Sequence, residues 1–250
     1  VFFGDQRQND DGRSGGRFTL GGWFDSFDNQ GVEISYLFLE EEGSTLSRSS
    51  GKSEILARPF FNVQANAQDS RLIAFPNVVS GDVAIDVTTD FRSGEALFRN
   101  VVSRSCGSQF EYTLGYRYAE LEDLVSFSES TLSLDGPTLD STINLSEQFE
   151  SHNEFHGGQF GIRVVHNPRP LWSMDFLAKF ALGNNKTELD IGGQTTSTTS
   201  TGTSTTNSGG LLTQNTNIGI FEDDDFTTIT EIGFTLKRCL DCGITASIGY

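Results

Sequence analysis

The chain of 250 residues is acidic: 34 Asp and Glu against 17 Lys and Arg give a formal net charge of −17. Phosphate backbones repel such a chain, so nucleic acid is not an expected partner. No apolar run approaches the roughly 18 residues of a transmembrane helix, and collagen, coiled-coil and disulfide-scaffold compositions do not fit. A β protein rich in Gly (27) and Phe (21) is left.

Alternation of apolar and polar residues with a period of two predicts β-strands along the whole chain. It starts where Phe18 and Leu20 alternate with Arg17 and Thr19, and it still runs at Ile244–Tyr250. The eight predicted strands are 14–24, 31–40, 81–102, 109–129, 150–166, 171–183, 225–238 and 242–250.

The connections between these strands alternate in length. The short ones are 25–30, 103–108, 167–170 and 239–241. The long ones are 41–80, 130–149 and 184–224. Transmembrane β-barrels combine short periplasmic turns with long external loops, whereas a Greek-key sandwich would mix the lengths. The predicted fold is therefore an all-β, up-and-down antiparallel transmembrane β-barrel with about eight strands here.

Two predicted strands, 81–102 and 109–129, exceed the roughly 9–11 residues that cross a bilayer, and both change apolar parity midway. We interpret each change as a β-bulge where the strand leaves the lipid. The residues expected to turn inward beyond these points are Val83, Ile85, Val125 and Phe127. The alternative is a turn near Ser93 and Gly94 that divides the first strand.

The two faces of the strands differ in polarity. The apolar residues expected to point outward together are Phe18, Leu20, Val32, Ile34, Phe110, Leu114, Ile162, Phe176, Phe180, Ile232, Phe234 and Ile248. Arg or Lys on a lipid face would cost roughly 2–4 kcal/mol, so the charged face should be the interior. The residues predicted to line the lumen are Arg17, Glu33, Glu95, Arg99, Glu111, Arg117, Arg163, Asp175, Lys179, Glu231 and Lys237.

These interior charges nearly balance, six positive to five negative. We expect them to pair across a narrow lumen that the side chains largely fill, so that conductance is low or absent. The alternative is a soluble sandwich with a solvated charged face, in which a second sheet or helices would cover the aromatic band.

Residues 194–208 are almost entirely Ser and Thr, which predicts a disordered loop tip. Nothing resembling a linker divides residues 1–250, which predicts one domain.

Cys239 and Cys242 form a Cys-x-x-Cys pair on a short predicted turn, and Cys106 lies on another. In a cytosolic βαβ context the pair would suggest redox or zinc chemistry. An oxidising periplasm favours a local Cys239–Cys242 disulfide with Cys106 free.

His152 and His156 have the i, i+4 spacing of a helical metal pair, but on a strand about 13 Å would separate them. Asp223–Asp225 could meet a calcium ion, although the run lacks EF-hand spacing and an ordinary solvated loop is expected. No Gly-x-Ser-x-Gly elbow or P-loop occurs. We therefore predict no catalytic residue, no metal site and no cofactor, and leave calcium open.

Several strings carry a resemblance to a known family. They are residues 10–21, 31–39, 56–63, 114–118, 153–161, 176–184, 209–213 and 217–219. In this order and spacing they resemble the planctomycete outer-membrane β-barrel proteins, described as β-barrel porins, nearly end to end. The resemblance implies a bacterial outer-membrane location and a precursor with a signal peptide. It also implies one further strand before residue 1 and one after residue 250, about ten in all, and names no catalytic residue.

Both ends of this chain accordingly look cut, since no signal peptide opens it and Tyr250 interrupts an alternating run. The expected function is a structural or small-pore, porin-like barrel whose partners are outer-membrane lipid and small solutes. The alternative is a surface-display barrel that binds partners through long acidic loops, and a barrel-embedded hydrolase ranks last. The solute, the physiological role and the oligomeric state stay open.

Overall fold

The computed structural model describes residues 12–50, 55–62, 65–105, 107–169, 171–240 and 244–250. The strands are β1 (Gly15–Trp23), β2 (Gln30–Ser49), β3 (Leu56–Asn62), β4 (Ala67–Ala74), β5 (Val79–Ser105), β6 (Ser108–Ser133), β7 (Thr142–Arg169), β8 (Trp172–Thr198), β9 (Ser204–Ser208), β10 (Gly219–Cys239) and β11 (Thr245–Gly249). A 3₁₀ turn lies at Gly136–Thr138. None of the described residues belongs to a helix long and apolar enough to cross a membrane.

Eight strands form one continuous antiparallel sheet in the order β1-β2-β5-β6-β7-β8-β10-β11. β9 pairs antiparallel with the end of β8, and β3 and β4 form a separate hairpin. The sheet curls into a half-barrel, which brings Arg17 Nη1 on β1 within 3.0 Å of Glu231 Oε1 on β10. The predicted all-β, up-and-down antiparallel architecture is confirmed.

The central strands are longer than predicted. β5 to β8 contain 27, 26, 28 and 27 residues, far more than the roughly 9–11 that a bilayer requires. Much of the predicted loops 130–149 and 184–224 is therefore strand. These segments alternate Ser, Thr and acidic residues with few apolar ones, so their strand period was hidden from a hydrophobicity pattern.

The predicted β-bulges in β5 and β6 are wrong. The register of the two strands runs without a shift from Val79 opposite Ser133 to Val101 opposite Glu111. The bulge near this level lies in β2, between Leu39 and Glu42. A turn at Ser93–Gly94 is also wrong, since β5 continues through it. The apolar parity therefore changes along strands whose pairing does not slip.

The inward placement predicted beyond those points is correct. Val83 and Ile85 are buried with Ile73 of β4, and Phe127 packs against this cluster. Val125 shares the inner parity of Phe127 on the uninterrupted β6. A second apolar cluster fills the inner face lower down, where Ala119, Phe155 and Ala181 are buried and Phe91 and Ile229 pack on them.

The outward apolar band is present as predicted. Eleven of its twelve residues are exposed on the protein surface, and Ile162 is half-buried. Neighbouring strands place these residues side by side, as in the row Phe98, Leu114, Phe160 and Phe180. The band is therefore continuous across the sheet.

Residues 194–208 form the tip of a β-hairpin, in which Gln194–Thr198 pair with Ser204–Ser208. All side chains of β9 are exposed, so no apolar contact anchors the tip. The predicted mobility of this segment stays a prediction for hydrogen exchange to test.

Candidate functional site

The eleven charged residues predicted to line the lumen lie on one face of the sheet and pair with one another. The ion pairs are Arg17–Glu231, Arg117–Glu231, Arg99–Glu33, Arg99–Glu111, Lys179–Glu95, Arg163–Asp175 and Lys237–Asp175. Each has the parity opposite to the apolar band, because strand side chains alternate between faces. Their role as a lumen lining stays a prediction.

Arg99 connects three neighbouring strands through its guanidinium. Its Nη1 lies 2.7 Å from Glu33 Oε2, and its Nε and Nη2 lie 2.6 and 3.0 Å from the two carboxylate oxygens of Glu111. Glu111 is only 1% exposed, so its charge depends on this bidentate pair. Arg163 holds Asp175 in the same bidentate way, and Lys237 Nζ adds a contact of 3.0 Å.

Other pairs span strands that are not adjacent. Lys179 of β8 pairs with Glu95 of β5, whose carboxylate also accepts hydrogen bonds from Ser35 Oγ at 2.8 Å and Gln159 Nε2 at 2.7 Å. Arg117 Nη1 of β6 lies 2.9 Å from Glu231 of β10. These contacts cross the concave face of the curled sheet, so the charged side chains bridge its interior.

A cavity of about 540 Å³ lies among these residues. Its lining combines both charge signs with Thr113, whose buried hydroxyl has no hydrogen-bond partner among the described residues. Because most cations face an anion at contact distance, the lining is not a ring of one sign, which is the arrangement that selects ions by charge.

A second buried charge cluster, which the sequence analysis missed, lies at the far end of β6 and β7. The Glu129 and Glu147 side chains are fully buried and pair with Arg71 and Arg58 of the β3–β4 hairpin. Counting parity along the strands would have found them, since both carboxylates share the inner parity of Glu111 and Arg163. Glu129 ends the predicted strand 109–129, and Glu147 falls in the predicted loop 130–149, so neither was expected to be a buried charge.

The histidines lie on the outer face. His152 Nδ1 is 3.1 Å from Glu122 Oε1 and 4.0 Å from Glu120 Oε1, close enough for the three to hold a metal ion. The Arg92 guanidinium lies 3.8 Å from Glu120 and 3.9 Å from Glu122. These carboxylates therefore have a positive partner without a metal ion. His156 pairs separately with Glu154, so the two histidines do not share a site.

Asp223–Asp225, predicted to close a loop, lie within β10. Alternation along a strand directs Asp224 to the face opposite to that of Asp223 and Asp225, so the three do not converge on one ion. Cys239 is exposed near the end of β10. Cys106 and Cys242 lie outside the described residues, so the Cys239–Cys242 disulfide stays a prediction.

Comparison with known proteins gives one result. No curated protein and no solved structure matches the chain. The family model described as "Putative beta barrel porin-7 (BBP7)" matches residues 1–250. The chain therefore belongs to this porin-like β-barrel family.

Proposed function

We propose that the protein is an integral outer-membrane β-barrel whose narrow lumen is largely filled by ion-paired side chains, with a structural or small-pore role. The observation that carries the proposal is the contrast between the two faces of one sheet. Eleven charged residues pair on the inner face, while an uninterrupted apolar band occupies the outer face.

The height of the apolar band suits a bilayer. On β6 it runs from Phe110 to Tyr118, which is about 26 Å along a strand that rises ~3.3 Å per residue. A strand tilt of roughly 35–45° reduces this to about 20 Å, close to the apolar belt of about 25 Å on outer-membrane barrels.

Aromatic side chains border the band on both sides, as in the girdles of membrane barrels. Trp172 lies beside a short turn on the outer face. Trp23 has the inner parity of Arg17 instead, and its ring lies under the Arg99 guanidinium. Tyr118 lies against His156 at the opposite border, with a ring-centroid distance of 5.0 Å and the ring planes tilted by 56°. One pair of residues further along, the outer row becomes charged: Arg92, Glu120, Glu154 and Lys186 are neighbours across four strands.

The interior suits a filled barrel better than an open channel. A closed barrel of about eight strands is just filled by its own side chains, whereas water-filled porins use about 16–18 strands. The eight strands here form a half-barrel, but it is narrow enough for Arg17 of β1 to reach Glu231 of β10. In this sheet the Arg99 and Lys179 networks occupy the concave face, and the apolar cluster around Phe155 closes it above them. Low conductance follows from that packing.

A second role, display of the outer end to partners, draws support from the length of β5 to β8. These strands continue about 15 residues beyond the level of Tyr118, and their outer face carries Glu122 and Glu150, with Glu222 on the neighbouring β10. The extension offers an acidic surface outside the membrane.

Reconstitution of the full-length protein into liposomes tests the proposal. We expect co-flotation with the liposomes, a heat-modifiable gel mobility and small or absent single-channel currents in planar bilayers. A soluble protein that stays out of the liposomes would contradict the membrane assignment. Large, steady currents would contradict the filled lumen.

A further inference from the structure

The β3–β4 hairpin lies against the inner face of the sheet beyond the apolar band. Ile73 of β4 is 1% exposed and packs on Val83 and Ile85, which point inward from β5. The approach is close: a Cβ added to Gly81 of β5 would lie 2.6 Å from the Ile73 carbonyl oxygen. The hairpin therefore covers the inner face at this level.

Two buried carboxylates of the sheet depend on the hairpin for their partners. The Glu129 and Glu147 side chains have no exposed surface. Arg71 donates to Glu129 and Arg58 to Glu147, and both guanidiniums come from the hairpin. A buried carboxylate without its cation is strongly unfavourable, so these pairs fasten the hairpin in place.

A second segment is held by the same carboxylate. Glu147 Oε1 accepts hydrogen bonds from the amides of Leu212 at 2.5 Å and Thr213 at 2.9 Å. Gly210 is required for this approach, because a Cβ there would lie 2.4 Å from Glu147 Oε1. Glu147 is thus a shared anchor for the hairpin and for residues 209–213.

Apart from one bridge between Phe75, which follows β4, and Val79, which begins β5, the described part of the hairpin does not join the hydrogen-bond ladders of the main sheet. Among the described residues, β3 and β4 form a sheet only with each other. The contact between Arg58 Nη1 and Glu129 Oε2 is 3.9 Å, and neither atom has a hydrogen-bond partner among the described residues. The hairpin can therefore leave the inner face without breaking a strand pairing of the main sheet.

We propose that the β3–β4 hairpin forms an internal strap that closes the barrel at the end away from the short turns, and that the strap opens when the Arg58 and Arg71 pairs separate. The proposal rests on the proposed function, since it regulates access to the same lumen. The switching element is the contact between the hairpin and the inner face of the sheet, which has a closed and an open state.

Thiol labelling tests whether the strap covers the wall. Val87, which packs under the hairpin, is changed to Cys in the full-length protein with Cys106, Cys239 and Cys242 replaced by Ser. A small water-soluble maleimide should modify Val87→Cys at least about tenfold more slowly than Glu150→Cys on the exposed outer face. Adding Arg58→Gln and Arg71→Gln should accelerate the Val87→Cys reaction about tenfold or more. Arg92→Gln on the outer face is the matched control and should change neither rate.

Equal Val87→Cys rates with and without the two Arg→Gln changes would overturn the strap. Hydrogen exchange of the unmodified protein supplies a test that needs no variant. Amides of Ala67–Ala74 should exchange at least about tenfold faster than those in the centres of β6 and β7. Exchange of the hairpin only together with β6 and β7 would overturn the proposal. Both measurements work on detergent-folded protein, so failure to insert into liposomes would contradict the proposed function alone.

Discussion

Each of the strands β5 to β8 has a lower half, which lies beside the short turns and on β6 reaches Tyr118, and an upper half beyond it. The strands run without interruption through both halves, but their inner and outer faces exchange polarity between them. In the lower half, Leu114 and Phe160 are exposed on the outer face while Glu111 is buried on the inner face. In the upper half, Ile85 and Leu145 are buried on the inner face, and polar residues occupy the outer one. The register of β5 with β6 has no shift at the crossover.

This comparison indicates that the solvent around a strand, and not its backbone geometry, decides which of its two faces is apolar. A water-surrounded sheet buries apolar side chains inside, as the hydrophobic effect requires. The lower half reverses that order, which is stable where lipid surrounds the sheet and the enclosed charges neutralise one another. The crossover therefore marks the proposed membrane border.

The largest expected effect comes from breaking the enclosed charge network of the lower half. Arg99→Ala leaves the buried Glu111 carboxylate without its bidentate partner, and should lower the free energy of unfolding by about 3–5 kcal/mol. Glu150→Ala, on the exposed face of the upper half, should change it by less than about 0.5 kcal/mol. Urea unfolding in vesicles, followed by gel mobility, measures both. Similar small effects would mean that the interior charges are solvated.

The upper half should respond to loss of apolar volume inside it. Ile85→Ala removes part of the buried cluster with Ile73 and Val83 and should cost about 2–5 kcal/mol. Ile220→Ala, at an exposed outer position of β10, should cost less than about 0.5 kcal/mol. The same urea titration compares them, and equal costs would argue against an apolar interior in this half.

An added positive charge should have different effects on the outer face of the lower half and on the outer face of the upper half. Leu114→Arg places a cation in the apolar band and should destabilise the vesicle-inserted state by about 2–4 kcal/mol. Ser146→Arg adds the same charge to the outer face of the upper half, where water should accommodate it with little change. Refolding yield and urea midpoint in vesicles report the difference. Tolerance of Leu114→Arg would place this face outside the lipid.

The smallest effect concerns the short turn between β1 and β2. Asp25 Oδ1 accepts hydrogen bonds from the amides of Asn29 at 2.7 Å and Gln30 at 2.9 Å, and that from Gln30 contributes most to lowering the pKa of the Asp25 carboxyl. Its contribution to stability is thus present above the ordinary Asp pKa of about 3.9 and is lost as the pH falls through the lower pKa of the folded state.

Asp25→Ala should therefore be slightly less stable than the parent protein at neutral pH, and the difference should shrink as the pH falls through the lowered pKa of Asp25. Urea titrations at pH 7 and about pH 3 measure it. A difference that grows on acidification would contradict the assigned hydrogen bonds.

Much of the lower half could be predicted from the sequence, because there the period of two coincides with a change from Phe and Leu to Arg and Glu. Parity alone placed Arg99 and Glu111 on one face. The upper half was less predictable. Its Ser- and Thr-rich strands carry no apolar period, so they were expected to be loops, and Glu129 and Glu147 were overlooked. The partners Arg58 and Arg71 come from a distant hairpin, and local spacing contains no sign of such a contact.

A spin-label scan along β6 tests the central claim most directly. Nitroxides are placed singly from residue 108 to residue 132 in the vesicle-inserted protein, and their collision rates with oxygen and with a water-soluble nickel complex are measured. Even-numbered positions from Phe110 to Tyr118 should favour oxygen, which concentrates in lipid, and even-numbered positions beyond Glu122 should favour the nickel complex. One unchanged pattern along the whole strand, or nickel access at Leu114, would contradict the account.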